Sequence, residues 1–390
     1  MSRTVAAAGA FLISLDSTLN IAFPAMAAWF ERPPESMRWV IVSYVLTYSL
    51  TSFAGGALAD RLGLARVFRA GVALSAVAYV LAAAAPAFTW LIAARVVQGI
   101  AGGLVYGTSP ALVTAAAAPN ERGRALAVLN ASIGTALALG PAVAGLLLEV
   151  FQWQAVFVVR LPIALLVLSG AWRALPDSGA AAGVRLVGIR DLARAHVVHA
   201  CTLSYLANAG IFAIWLLAPF YLVNRRGLDP VAGGLYFMLT PLGTAVAAPV
   251  AGRLADRLGG RMPAIAGLAL EASGLLALSQ ATESTPALAV AAALLAAGFG
   301  LGLFQVPNMT AVMAAFPPGQ QGAAGGLSFM ARTLGVVSGV VTFAAIFATR
   351  RAAAGFEAAF TAAFLVAAGA VAAAALAATL PERARRGDRR

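Results

Sequence analysis

Residues 56–63 read Gly56-Ala-Leu-Ala-Asp60-Arg61-Leu-Gly63, and half a chain later the same pattern returns as Gly252-Arg-Leu-Ala-Asp256-Arg257-Leu-Gly259. Each copy stands where a long apolar stretch ends in charge. A repeat at half-length in that setting points to two copies of one membrane-embedded unit.

The composition agrees with that reading. Hydrophobic residues make up 61% of the chain and charged ones 11%, and the mean hydropathy is +0.86. Soluble domains run at roughly 45–50% apolar and ~25% charged, so a water-soluble fold is excluded. There is no lysine, and the net charge of +12 is carried by arginine alone. With so much alanine and glycine, this is read as the codon bias of a GC-rich genome, and a bacterial source is expected. The arginines lie in short clusters between apolar runs, where they suit anionic lipid headgroups and give no reason to expect nucleic acid. Cys201 is the single cysteine, which rules out an intramolecular disulfide and a thiolate metal cluster. His196 and His199 are too few for zinc without carboxylate help, so no metal is expected. Arg3 followed by an apolar run resembles a signal peptide, but the run carries Asp16, continues to Trp29 and is followed by many more; it is read as a retained first helix.

About 20 apolar residues cross a hydrocarbon layer of ~30 Å as a helix. On that measure the spans fall at residues 5–29, 39–59, 67–86, 88–117, 124–149, 153–174, 197–222, 231–255, 263–281, 286–315, 323–348 and 356–380. The expected fold is therefore an all-α integral membrane protein of twelve transmembrane helices in two pseudo-symmetric six-helix bundles. Residues 1–175 form the first bundle, residues 176–195 a linker, and residues 196–390 the second bundle with a short basic tail. An even number of spans leaves both termini on one side. Loops on that side hold Arg3, Arg61, Arg66, Arg69, Arg122, Arg124, Arg173, Arg185, Arg190, Arg194, Arg253, Arg257, Arg261 and the arginines of residues 383–390. The opposite loops hold only Arg32, Arg38, Arg225, Arg226, Arg350 and Arg351. The positive-inside rule then makes both termini cytoplasmic and the protein a multi-pass component of the cell (inner) membrane. The linker is too short to be a domain. No Gly-x-x-x-x-Gly-Lys-Ser/Thr loop is present to power transport with a nucleotide.

Charges within a bilayer are costly, so each needs a reason. Asp16 lies eleven residues into the first span, roughly 17 Å deep, with Asn20 and Pro24 at i+4 and i+8 on the same helical face. Hydrocarbon around such a carboxyl favours its neutral form and a nearby guanidinium its ionised form, so the group can carry a proton. Arg95 is its most plausible partner, roughly 10 Å from the outer end of span four against about 13 Å for Asp16. Arg332 sits at the depth of Asp16 in the other half. The plainer alternative is that these are buried pairs that only hold helices together. Arg160, beside Pro162, is read as shallow and snorkelling to the interface; Glu271 stands alone in span nine, where packing or snorkelling competes with proton transfer. The histidine pair is read as interfacial.

Residues placed to line a pathway are Asn20, Tyr44, Tyr48 and Thr51, Gln98, Asn130, then Tyr205, Asn208, Phe212 and Trp215, and finally Gln305, Asn308 and Arg332. An aromatic stripe is more often helix packing, whereas buried amides need partners in an apolar medium. Gly140-Pro141 with Gly145 is expected to interrupt span five.

These motifs together resemble the major facilitator superfamily, and within it the proton-coupled drug antiporters. Residues 15–24, with Asp16, Asn20 and Pro24, resemble the antiporters' first-helix signature. Residues 56–66, with Gly56, Asp60, Arg61, Gly63 and Arg66, resemble the superfamily's loop motif, except that Leu64 and Ala65 stand where basic residues are usual; Gly252, Asp256, Arg257 and Gly259 repeat it. Residues 91–103, with Arg95, Gln98 and Gly99, are similar to the fourth-helix motif whose arginine is implicated in proton transfer. Gly140, Pro141 and Gly145 resemble the antiporter motif of helix five, though Ala136 and Ala144 replace two glycines. Residues 326–335, with Arg332, and the start of span two at Trp39 and Tyr44, resemble the branch that usually has fourteen spans.

The resemblance implies two parallel halves, each an inverted three-helix repeat. It implies that Asp60 and Asp256 brace the bundles through arginines and helix N-termini, and that Asp16 exchanges protons under the influence of Arg95. With the basic residues missing at positions 64 and 65, the first brace is expected to be the weaker. The expected function is a proton-coupled antiporter exporting amphipathic or drug-like small molecules by alternating access, monomeric, with the proton as coupling ion and no cofactor. Two alternatives stay open: a narrow-specificity exporter of a metabolite or antibiotic, and a membrane sensor or scaffold that has lost transport. An enzyme is not expected, since there are no facing acids at mid-depth, no metal cluster and no Gly-x-Ser-x-Gly elbow.

Overall fold

A computed structural model of the chain describes residues 2–32, 34–115, 117–118, 121–175, 187–228 and 230–380. Residues 176–186 of the linker, with Arg185, and the basic tail at residues 381–390 lie outside it. Every regular element among the described residues is helical. That is the arrangement hydrocarbon demands of a spanning segment without a closed barrel, because no water is present to satisfy a free backbone N–H or C=O.

The helices are α1 (Ser2–Ser14), α2 (Leu19–Trp29), α3 (Arg38–Leu62), α4 (Leu64–Ala83), α5 (Phe88–Ala115), α6 (Arg122–Val150), α7 (Ala155–Val158), α8 (Arg160–Ala174), α9 (Ile189–Leu192), α10 (Ala195–Pro219), α11 (Pro230–Leu258), α12 (Arg261–Ser279), α13 (Ala287–Ala314) and α14 (Gln321–Thr379). Among the described residues ten helical segments are long and apolar enough to cross a membrane, α7 and α8 counting as one, and the bent pair Ser2–Thr18 and Ile21–Trp29 raises the number to eleven. At 59 residues α14 would be roughly 90 Å long, three times a hydrocarbon core. Its backbone leaves helical geometry at Gly355, with φ 81° and ψ −178°, in the gap between the last two expected spans. Divided there, the helices are compatible with twelve spans.

The first span departs from expectation. A 3-10 turn at Leu15–Thr18 lies between α1 and α2, and the stretch Ser2–Thr18 meets Ile21–Trp29 at 59°. Asp16 sits in this turn, so Asn20 and Pro24 are not simply one and two turns along a straight face. The fifth span departs in the other direction: α6 runs unbroken through Gly140 and Pro141.

Contacts divide the chain into two units. The first comprises Met1–Pro119, Ser132–Val187 and Phe316–Met330. Its central helix is α5, whose Gly99, Gly103 and Gly107, one turn apart, lie so close to Thr47, Thr51 and Ser52 of α3 that a Cβ at any of them would overlap that helix. Such small-residue stripes replace the hydrophobic effect as the means of association in lipid.

The second unit comprises Asn120–Ala131, Gly188–Ala315 and Ala331–Arg390. Here α13 is central, with Gly298 and Gly302 against Thr240 and Thr244 of α11, and Gly300 against Gly267 of α12. Phe304, Phe360 and Phe364 fill its core.

Candidate functional site

In the first unit the 3-10 turn points Asp16 at two arginines. From α5, Arg95 forks onto the carboxylate, Nη1 donating to Oδ1 and Nη2 to Oδ2, each at 2.7 Å. From the start of α8, Arg160 Nη1 donates to Oδ1 at 2.9 Å, and its Nη2 donates to the Thr18 hydroxyl. Gln98, one turn along α5 from Arg95, donates to Oδ1 at 3.0 Å and accepts from Arg95 Nη1 at 2.7 Å. Asp16 thus accepts four hydrogen bonds, three on Oδ1 and one on Oδ2, which leaves Oδ2 a free acceptor site. The two arginine side chains are 1% and 0% exposed against 18% for the acid, so the acid is the least covered member of the cluster.

Arg160 is therefore neither shallow nor snorkelling. Its guanidinium carbon lies 5.5 Å from the ring centre of Tyr79 and 5.6 Å from that of Phe157. The sequence did carry a signal for this: apolar residues flank Arg160 on both sides, with no polar neighbour to lead its head group to water.

An aromatic file leads away from the cluster. The Arg95 guanidinium lies 4.1 Å from the Tyr44 ring centre, and Tyr44, Tyr48, Tyr106 and Phe329 follow at successive centroid distances of 5.0, 5.6 and 4.5 Å. Tyr106 also shares a 2.7 Å hydrogen bond with Ser14 at the end of α1. The sequence reading missed Tyr106 and Phe329. Gly140 of α6 meets the 3-10 turn itself, where a Cβ would overlap the Ser17 hydroxyl; at Gly145 nothing lies within 4 Å. The side chain of Asn20 lies outside what the structure describes.

The repeated octapeptide makes the same contact twice. Asp60 accepts from the backbone N–H of Gly322 and Ala323, at the start of α14, at 2.7 and 2.8 Å. Asp256 accepts from those of Gly123 and Arg124, at the start of α6, at 3.1 and 3.2 Å, with Arg124 Nε at 3.9 Å. Both acids thus cap a helix N-terminus, where free N–H groups and the positive end of the dipole favour a carboxylate. The leading glycines, Gly56 and Gly252, permit the approach, since a Cβ on either would overlap the backbone of the capped helix. The closing glycines, Gly63 and Gly259, take φ of 98° and 80°, where side chains are strained. Arg61, Arg66 and Arg257 are exposed. The distances run against the expectation that the first brace is weaker. The gap left by Leu64 and Ala65 is covered one turn further on, where Arg69 donates to the last carbonyls of α8, at Ala171 (3.3 Å) and Leu175. Arg261 does the same for α14, at Ala378 (3.4 Å) and Thr379.

In the second unit the amides hold helices to one another. Asn208 donates to Ser204 O at 2.8 Å and accepts from Gln305 at 3.3 Å, Asn308 donates to Ala200 O at 3.1 Å, and Asn130 donates to Leu126 O while accepting from Arg332 at 3.3 Å. Phe212 stacks on Trp215 at 5.9 Å; Tyr205 is 37% exposed. Glu271, for which packing or snorkelling competed with proton transfer, is fully buried and so does not snorkel.

The family model described as Major Facilitator Superfamily matches residues 5–340 and 206–389. The chain belongs to the Major Facilitator Superfamily. Within the superfamily it is similar to the riboflavin transporter RibZ of Clostridioides difficile, 24% identical across 83% of this chain and 82% of RibZ. It is likewise similar to the multidrug resistance protein Stp of Mycobacterium tuberculosis, 27% identical across 85% of this chain and 72% of Stp. Among solved structures, the proton:xylose symporter XylE shares the fold, with a TM-score of 0.81 and 16% identity over 96% of this chain and 94% of XylE. This major facilitator protein is a multi-pass membrane transporter of a small molecule, and not an enzyme.

Proposed function

We propose that the chain is a proton-coupled antiporter that exports amphipathic small molecules by alternating access. The observation that carries this reading is Asp16, a part-exposed carboxylate held by Arg95, Arg160 and Gln98, with three donors on Oδ1 and one on Oδ2. A proton binding at the acceptor site left on Oδ2 neutralises the acid and weakens the charge-assisted bonds from Arg95 and Arg160, so protonation and the packing of α1, α5 and α8 around the 3-10 turn change together. The aromatic file from Tyr44 to Phe329 offers an apolar, polarisable wall beside that carboxylate. Asp60 and Asp256 act as latches on the cytoplasmic side, released in the inward-facing state.

The test is proton flux in proteoliposomes carrying a pH-sensitive dye, challenged with a panel of chemically diverse substrates. Wild-type vesicles should release protons against several substrates, while the Asp16→Asn protein stays folded and inactive. Wild-type exchange rates in that variant would overturn the assignment. A narrow-specificity exporter is the second reading, favoured by the similarity to a protein named for one substrate, riboflavin. A response confined to one chemotype would select it.

A further inference from the structure

Glu271 lies midway along α12 and is fully buried, and among the described residues neither of its carboxyl oxygens has a hydrogen-bond partner. It is on the seam with α13. Gly267 and Gly274, one turn before and nearly one after it, approach the α13 backbone closely enough that a Cβ would overlap it, and Gly300 of α13 packs directly against the Glu271 backbone.

No charge stands opposite. Helix α13 contains no charged residue, histidine, cysteine or tyrosine. On α10 the titratable groups are His196, His199 and Cys201, in its first two turns, and Tyr205, which is nearest the level of Glu271 because α10 meets α12 and α14 at Gly210, beside Leu275 and Val371; Tyr205 is 37% exposed and makes no hydrogen bond with the buried acid. On α11, Arg253, Asp256 and Arg257 occupy the last turns and Tyr236 an early one. On α14, Arg332, Arg350, Arg351 and Glu357 precede the stretch around Ala367 and Val371. The polar group of α10 at this level, Asn208, is engaged by Ser204 and Gln305. An ionised carboxylate here would have nothing to replace its hydration, while the neutral acid carries no such charge. The matching position of the first half holds Ser75, whose hydroxyl is satisfied by Gly71 O at 2.9 Å. The acid is thus not required by the packing pattern of the repeat.

We propose that Glu271 is a proton-binding site of this transporter separate from Asp16, loaded in this conformation and exchanging with water when α12 and α13 shift along their glycine seam. The proposal does not depend on Asp16 driving antiport. The experiment is infrared spectroscopy of the full chain in lipid nanodiscs, titrated in H2O and D2O, for wild type, Glu271→Gln and Asp16→Asn. The expected result is a carbonyl band of a protonated carboxylic acid that is absent from Glu271→Gln and kept in Asp16→Asn. It should shift in D2O and be lost reversibly at alkaline pH. If Glu271→Gln fails to fold, Glu271→Asp should move the band without removing it. A wild-type spectrum without the band, a band that survives Glu271→Gln or stays put in Glu271→Asp, or one that ignores both D2O and pH would overturn the proposal, the last by showing static packing.

Discussion

Arg160 Nη1 and Arg95 Nη1 converge on one oxygen of Asp16, Oδ1, from two different helices, at 2.9 and 2.7 Å. One carboxylate thus faces two buried guanidiniums, and the site carries a surplus positive charge whether or not the acid is ionised.

Arg160 should consequently matter to folding as well as transport. Hydrogen bonds to charged groups contribute about 1.5–3 kcal/mol, so Arg160→Gln is expected to lose about 2 kcal/mol in equilibrium unfolding in detergent. Asp16→Asn combined with Arg160→Gln should lose less than the sum of the two, because they share a bond. Strict additivity would mean that the contact contributes little.

The two capping aspartates allow a direct comparison. Asp60→Ala is expected to impair transport more than Asp256→Ala, since its two backbone bonds are shorter by 0.4 Å on each paired distance (3.1 − 2.7 and 3.2 − 2.8). Each loss should be of the order of the charged hydrogen bonds removed, about 2 kcal/mol or more. Transport rates at matched expression check the ranking, and equal or reversed losses would contradict it.

Gly140 and Gly145 belong to one motif but meet different surroundings. Gly140→Ala should destabilise the fold by about 1–3 kcal/mol through overpacking against Ser17, and Ser17→Ala should recover part of that loss. Gly145→Ala should be silent or slightly stabilising, as alanine suits a helix better by about 0.8–1 kcal/mol. Thermal unfolding of the four proteins reads all of this.

Arg69 and Arg261 cap α8 and α14 through the same atoms, Nε and Nη2. Alanine at either should cost a similar amount, about 1–2 kcal/mol, although the two are not at matching positions of the repeat. Unfolding midpoints that differ widely would show that only one is a structural cap.

Much of this was legible in the sequence. Span lengths follow from helix rise and hydrocarbon thickness, which hold for any chain in a bilayer, and the same arithmetic paired Asp16 with Arg95, the contact seen in the structure. Arg160 was legible only in part: its apolar flanks leave its head group no polar route to water, but proximity to the end of a span says nothing about which neighbour covers a side chain. The 3-10 turn at Leu15–Thr18 left no mark in the apolar pattern, and it is what aims Asp16. Counting bases at positions 64 and 65 also overlooked that Arg69, one turn on, reaches carbonyls at the end of α8.

The two copies of the octapeptide clasp helices that are remote in sequence. Asp60 takes the first N–H groups of α14, and Asp256 those of α6. A gene cut in the linker would therefore encode two fragments, each holding an aspartate whose helix terminus is on the other. Neither fragment expressed alone could make either clasp, whereas the two produced together carry matching halves of both, which suits the chain to split-reporter complementation.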